Sequence, residues 1–233
     1  MLFPVFGLSI FIPSRPLFTE SIFGAHYFWI PFWLGLALAI GGQLIRALTI
    51  GMKYIKRGGR NKKVYADKLV TDGMFHHCRN PLYVGNISML AGVGILSNSL
   101  LFVAVVVPVF CFIYQCIVLA EENFLRKEFG AGYDAYTRDV NRWWISLRGL
   151  GDTLGSMKFN WRRYVLNEYN TVYMLLLSIC LVLFVYFPPL VSQPTDSKIK
   201  LVIVAVGAIT AVYLFVRFLK KTGRIDRTLA ADI

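Results

Sequence analysis

Apolar residues dominate four stretches of the chain, 28–50, 82–120, 172–191 and 199–219, and polar residues crowd the segments between them. A stretch of about 20 apolar residues, coiled as a helix, matches the ~30 Å hydrocarbon layer of a bilayer. The second stretch is too long for one crossing, because at ~1.5 Å per residue it would reach roughly twice that thickness. It must fold back on itself, and Ser97-Asn98-Ser99 is the polar interruption at which it turns. The first arm, 82–96, is then only ~22 Å long, so it starts below the membrane surface, within the protein. The pattern predicts an all-α polytopic membrane protein with five transmembrane helices, two of them a tight helical hairpin.

Composition agrees with a bilayer as the solvent: 56% of the 233 residues are hydrophobic, and the mean hydropathy is +0.56. A net charge of +12 would suit nucleic acid in a soluble protein, but here the basic residues follow membrane topology and no nucleic-acid partner is expected. They gather at 53–79, 126–163 and 217–227, which fall on one side if there are five spans. The opposite connections, 97–99 and 191–198, hold only Lys198. Short cytoplasmic loops carry the excess of Lys and Arg, so the N-terminus is predicted outside and the C-terminus in the cytoplasm, in a bacterial inner membrane or the endoplasmic reticulum.

Pro4, Gly7, Pro13 and Pro16 disfavour a long helix in residues 1–27, which read as a surface-lying or re-entrant segment. Cys111, Cys116 and Cys180 lie in spans as small apolar fillers, and Cys78 sits in a reducing cytoplasmic loop. The glycine-flanked stretch 149–156 is linker-like. It divides a core at 1–150, with three spans and cytoplasmic polar elements, from 151–233, with two further spans. The basic amphipathic stretch 158–166 reads as an interfacial helix against anionic membrane lipid.

Two polar clusters carry candidate chemistry. In the first, Asn80-Pro81 is a helix start, since Asn caps free N–H groups and Pro suits the first helical position. A helix N-terminus beside Arg79 could hold a carboxylate or phosphate. Tyr83, Gly85 and Gly92 share a face, where the glycines leave room for a ligand or for another helix. In the second cluster, the third span runs on past the membrane exit through Glu121 and Glu122 to Gly130, a plausible helix stop. Adjacent carboxylates near hydrocarbon invite a cationic partner, either a ligand or Arg126 or Lys127. Beyond them Tyr133, Tyr136 and Val140 share a face that leads to Arg142, Trp143 and Trp144. His76, His77 and Cys78 are consecutive and converge poorly on one ion, so no metal site is expected.

Over residues 68–144 the run Gly73-Met-Phe-x-x-x-Arg79-Asn80-Pro81-Leu-Tyr83-Val-Gly85, then Glu121-Glu122-x-x-Leu125 to Phe129-Gly130, Tyr133, Tyr136, Val140 and Arg142, resembles the membrane methyltransferases related to isoprenylcysteine carboxyl methyltransferase and the phospholipid N-methyltransferases. The resemblance implies S-adenosyl-L-methionine as cofactor, held by cytoplasmic helices at the membrane edge. The acceptor it implies is lipid-like, a phospholipid head group or a prenylated small molecule or protein. It places Arg79, Asn80, Pro81, Tyr83 and Gly85 in the cofactor cradle and Glu121 and Glu122 on the cofactor's cationic part. Arg142, Tyr133 and Tyr136 become the candidates for orienting the acceptor.

Two positions depart from the family's commonest form, which has His where this chain has Asn80 and Pro where it has Asn141. Asn80 keeps a capping side chain but cannot titrate. A rival resemblance, to NADPH-dependent membrane sterol and steroid reductases, shares Arg-x-Pro-x-Tyr-x-Gly. Those enzymes usually place an acid after that glycine, where this chain has Asn86. A non-enzymatic transport or assembly protein would carry buried charges in its spans, and Arg46 is the one that qualifies.

Overall fold

The computed structural model describes residues 12–52 and 69–224. The basic residues expected at 53–68, those beyond 224 and the start of the N-terminal segment lie outside the described residues. Among the described residues there is no β-strand, and the helices are α1 (Glu20–Phe23), α2 (Trp29–Met52), α3 (Met74–His77), α4 (Pro81–Leu96), α5 (Val107–Phe129), α6 (Ala131–Asp139), α7 (Leu150–Ser156), α8 (Trp161–Tyr186), α9 (Pro188–Val191) and α10 (Thr195–Lys221). Among the described residues, four helices are long and apolar enough to cross a bilayer: α2, α5 together with the turn before it, α8 and α10. The shorter α4 completes the hairpin with α5, so the protein is an all-α, polytopic integral membrane protein.

The hairpin turns where the polar triplet predicted. Asn98 takes a left-handed φ of 53°, a conformation that Asn tolerates better than most residues. Its side-chain carbonyl accepts from Phe18 N (2.8 Å) while its amide donates to Phe18 O (2.8 Å). With Leu17 N donating to Asn98 O and Leu100 N to Arg15 O, residues 15–18 form a strap across the hairpin tip. The N-terminal segment is thus paired to the tip through its backbone. Past the turn, Phe102–Val106 forms one π-helical turn. Pro108 lies just beyond it; a proline lacks an N–H and crowds the carbonyl four residues back, which accounts for the widened helix.

The first span and the short arm pack backbone to backbone. Gly35 and Gly42 on α2 and Gly85 and Gly92 on α4 are each seven residues apart, which returns each pair to nearly one helical face. The two helices run antiparallel: a Cβ added to Gly42 would lie 2.5 Å from Gly85 O, and one on Gly92 would lie 2.5 Å from Ala39 N. Such contact lets van der Waals packing hold helices together where no hydrophobic difference between protein and lipid exists. On its other side the hairpin meets α8 through Val93, Leu96, Phe102, Val106, Phe110, Tyr114 and Val182.

The fourth span begins eleven residues earlier than the apolar pattern indicated, at Trp161 rather than 172, and the stretch expected as an interfacial helix is its first turns. Asn160 caps it by accepting from Arg163 N (2.9 Å). Arg163 is 2% exposed and donates through Nε to Ile50 O and through Nη2 to Gly51 O. It thereby satisfies carbonyls that the end of α2 leaves free. Glu168, one turn farther, is 0% exposed and grips Arg46 with two bonds of 2.7 Å. The halves expected to divide near residue 150 are therefore joined by buried polar contacts, and the linker-like glycine stretch is itself the helix α7. The last span, α10, buries no residue. It lies along α8, with Tyr213 stacked between Tyr169 and Tyr173.

Candidate functional site

The two polar clusters of the sequence meet at one end of the hairpin. Gly130, at φ 50°, ends α5 and starts α6, so the chain reverses there and carries the segment after α6 back beside the start of α4. That return is stitched by backbone bonds: Arg79 N donates to Asn141 O (2.9 Å) and Ser146 N to His77 O (2.9 Å). Asn80 stands at the N-cap of α4, but its amide donates to Arg142 O (3.1 Å) and no side-chain capping bond is made. The capping role read from the sequence is replaced by a cross-link. The helix start itself forms as expected, with Pro81 at its first turn.

Glu122 is at the centre. Its carboxylate accepts from Arg142 Nε (3.0 Å) and Nη2 (2.7 Å), and Arg79 Nη1 lies 3.0 Å away. Three side chains from three separate segments thus share one ion cluster, with the Glu122 side chain 6% exposed, Arg79 13% and Arg142 34%. Two guanidinium charges against one carboxylate leave a surplus of positive charge, and Arg79 Nε is buried with no hydrogen-bond partner.

Glu121, adjacent in sequence, has a different environment. It is half-buried and accepts from the Tyr83 hydroxyl at 2.9 Å, and among the described residues no cation pairs with it. Of the internal partners considered from the sequence, Arg126 pairs instead with Asp134 at 2.8 Å on the exposed surface, and Lys127 is exposed and makes no ion pair among the described residues. The Tyr83 ring lies against that of Tyr114 of α5, tilted at 41° with centroids 5.3 Å apart.

The aromatic face of α6 closes the site. Tyr133 is 1% exposed, its ring is 6.1 Å from that of Tyr136, and the Tyr136 hydroxyl donates to Phe75 O at 2.6 Å. Burial pushes both phenols above their ordinary range, with the Glu122 charge adding to the effect, so both stay protonated. Tyr136 has its proton committed to a backbone carbonyl, which makes it a strut between α6 and α3 rather than a group free to orient an acceptor. Gly85 likewise belongs to the helix seam: a Cβ there would meet Arg46 Cγ at 2.6 Å and Gly42 O at 2.7 Å, so the room read from the sequence is filled by α2.

His77 is buried, donating through Nδ1 to Ser146 O (2.9 Å) and accepting at Nε2 from the Thr153 hydroxyl (2.8 Å). Both ring nitrogens are thus occupied in tying α7 to the base of the site. Cys78 is fully buried, which pushes its thiol up to about 11. Sequence reasoning missed Glu168 and Asn86, which contact Arg46. The signal was present: an intramembrane Arg46 requires an acid, and Glu168 lies close to the start of a span.

Residues 30–132 match the phospholipid methyltransferase family. The matched stretch takes in α2, the hairpin, Glu121 and Glu122, and stops just before Tyr133. A probable protein-S-isoprenylcysteine O-methyltransferase of Oryza sativa is 31% identical over 121 residues, which is 49% of this chain and 61% of that protein. A nickel-cobalt-cadmium resistance protein of Alcaligenes xylosoxydans is 28% identical over 119 residues, 51% of this chain and 54% of that protein. A cobalt-zinc-cadmium resistance protein of Cupriavidus metallidurans is 35% identical over 96 residues, 41% of this chain and 39% of that protein. The chain therefore spans about two fifths to three fifths of the curated relatives it matches. No solved structure matches it. The methyltransferase resemblance read from the motifs stands.

Proposed function

We propose that the protein is an S-adenosyl-L-methionine-dependent membrane methyltransferase acting on a lipid-like acceptor, a phospholipid head group or a prenylated carboxylate. The observation that carries this is the unequal pair Glu121 and Glu122. One acid is bound by two arginines, and the other, adjacent on α5, accepts from a phenol and among the described residues meets no cation. The cofactor's amino-acid end bears an ammonium and a carboxylate. Glu121 is suited to the first; the second suits the unpartnered Arg79 Nε, backed by the N-terminus of α4. When bound, the cofactor supplies an electrophilic methyl group on a sulfonium.

The chain's own contribution is orientation and exclusion of water, which dominate a displacement that needs no covalent help from the enzyme. Glu122 fixes Arg79 and Arg142 in one geometry. Tyr83 aims Glu121, Asn80 and Pro81 set the start of the cradle, and the buried Tyr133 and half-buried Tyr136 wall it off. Arg142, one third exposed, is the member of the cluster best placed to reach an acceptor from outside. Arg126, Lys127, Arg138, Arg148, Lys158 and Arg162 are all exposed in segments around the site, which supports a cytoplasmic position for it and an outer position for the hairpin tip.

Calorimetric titration of detergent-purified protein with S-adenosylhomocysteine and, in parallel, NADPH tests the reading. Micromolar binding of the nucleoside supports it. Binding of NADPH alone would transfer the protein to the reductases, and binding of neither would remove the enzymatic reading.

A further inference from the structure

We infer that Glu168, which lies beyond the family-matched residues, is a positioning residue for the cofactor cradle and acts on it through Arg46 and Asn86. The inference rests on the methyltransferase reading for its function and on geometry for its mechanism. Arg46 is 6% exposed and Glu168 0%, and the two meet in the bidentate geometry that fixes a guanidinium plane. Held in that way, Arg46 turns its remaining nitrogen, Nη1, onto Asn86 Oδ1 at 2.6 Å and toward Leu82 O at 3.4 Å. Both acceptors belong to the first turns of α4. The stem of Arg46 fills the place that the missing side chain of Gly85 leaves.

From Asn86 the contacts continue to the site. The Tyr114 phenol lies against Asn86, its ring packs at a tilt against Tyr83, and the Tyr83 hydroxyl holds Glu121. Glu168 is thus the far end of a contiguous series that ends on the acid assigned to the cofactor. A buried ion pair contributes little stability relative to well-packed apolar residues of similar volume. Its presence in the bilayer is accounted for by what it orients.

That energetic indifference provides the test. The double variant Arg46→Met/Glu168→Leu replaces the pair by apolar residues, and Asn86→Leu cuts the series while leaving the pair intact. Both should melt within a few degrees of the wild type in detergent, yet bind S-adenosylhomocysteine roughly tenfold or more weakly. Unchanged affinity in folded Asn86→Leu protein would overturn the inference, and that variant decides the matter if the double variant does not fold. If wild-type protein binds no S-adenosylhomocysteine, the function proposed above fails. The positioning role is then read from the 13Cζ resonance of labelled Tyr83, whose movement in Asn86→Leu supports the role and whose constancy refutes it.

Discussion

Neutralising Glu121 and neutralising Glu122 should produce opposite phenotypes, although the two acids are neighbours. Glu122→Gln removes the charge that compensates Arg79 and Arg142, which approach it at 3.0 and 2.7 Å. Removing one partner of a fully buried pair costs about 3–5 kcal/mol. The Arg142 side chain is 34% exposed, so water screens part of the loss, and the amide retains one acceptor. A destabilisation of about 2–3 kcal/mol remains, which lowers the melting temperature of a chain of this size by roughly 5–10 °C. Glu121→Gln keeps an oxygen for the Tyr83 hydroxyl and breaks no ion pair, so its stability should stay within ~0.5 kcal/mol of the wild type. It loses instead a charged hydrogen bond to the cofactor's ammonium, about 1.5–3 kcal/mol, or roughly 10- to 150-fold in affinity. Melting curves with a thiol-reactive or intrinsic-fluorescence readout, paired with S-adenosylhomocysteine titrations, separate the two. The assignment is refuted if Glu122→Gln melts with the wild type while Glu121→Gln binds as tightly as the wild type.

Three further outcomes follow from the geometry. Gly92→Ala would drive a methyl group to 2.5 Å from Ala39 N and 2.6 Å from Gly35 O, so α2 and α4 must part, at a cost of about 1–3 kcal/mol; an unchanged melting temperature would show that the seam is loose. Because the Cys78 thiol is pushed up to about 11 by burial, it stays protonated through neutral pH, and its alkylation by iodoacetamide in folded protein should be negligible at pH 8 and rise only as pH approaches that value or as the protein unfolds. Mass spectrometry that found Cys78 modified early at pH 8 would contradict the burial. Asn98→Ala removes both side-chain bonds to Phe18 and places a less tolerant residue at positive φ, so chymotryptic cleavage of the strap after Phe18 should become markedly faster while the helical content measured by circular dichroism is unchanged.

The hairpin was legible because two independent signals, the excessive apolar length and the polar triplet at 97–99, require the same turn. The pairing of Arg79 and Arg142 with Glu122 was not read, since the partners considered for Glu122 were a ligand, Arg126 or Lys127; as members of the candidate site the three residues were legible through the motif resemblance. The partition between the two acids was not, because it depends on which face of α5 meets the returning segment, and that is set by the reversal at Gly130. The start of α8 was missed because Arg163, Asn167 and Glu168 make its first turns look interfacial. Arg163 and Glu168 are satisfied inside the protein by α2, while Asn167 donates to Arg163 O one turn back, and apolar length alone cannot register a charge that is compensated from another helix. The same limit applies to Gly85, whose partner glycines lie on a different span.

The Arg46–Glu168 pair closes over 122 residues of chain, and this has a consequence for biosynthesis. At ~5–20 residues per second of elongation, the first span has to sit in the membrane with its arginine for roughly 6–24 s before the matching acid has been made. Asn86 arrives after 40 residues, within about the first third of that interval, and can occupy the guanidinium in the meantime. The early hairpin arm is in this sense a caretaker for the first span, shielding a charge during synthesis that the fourth span later takes over.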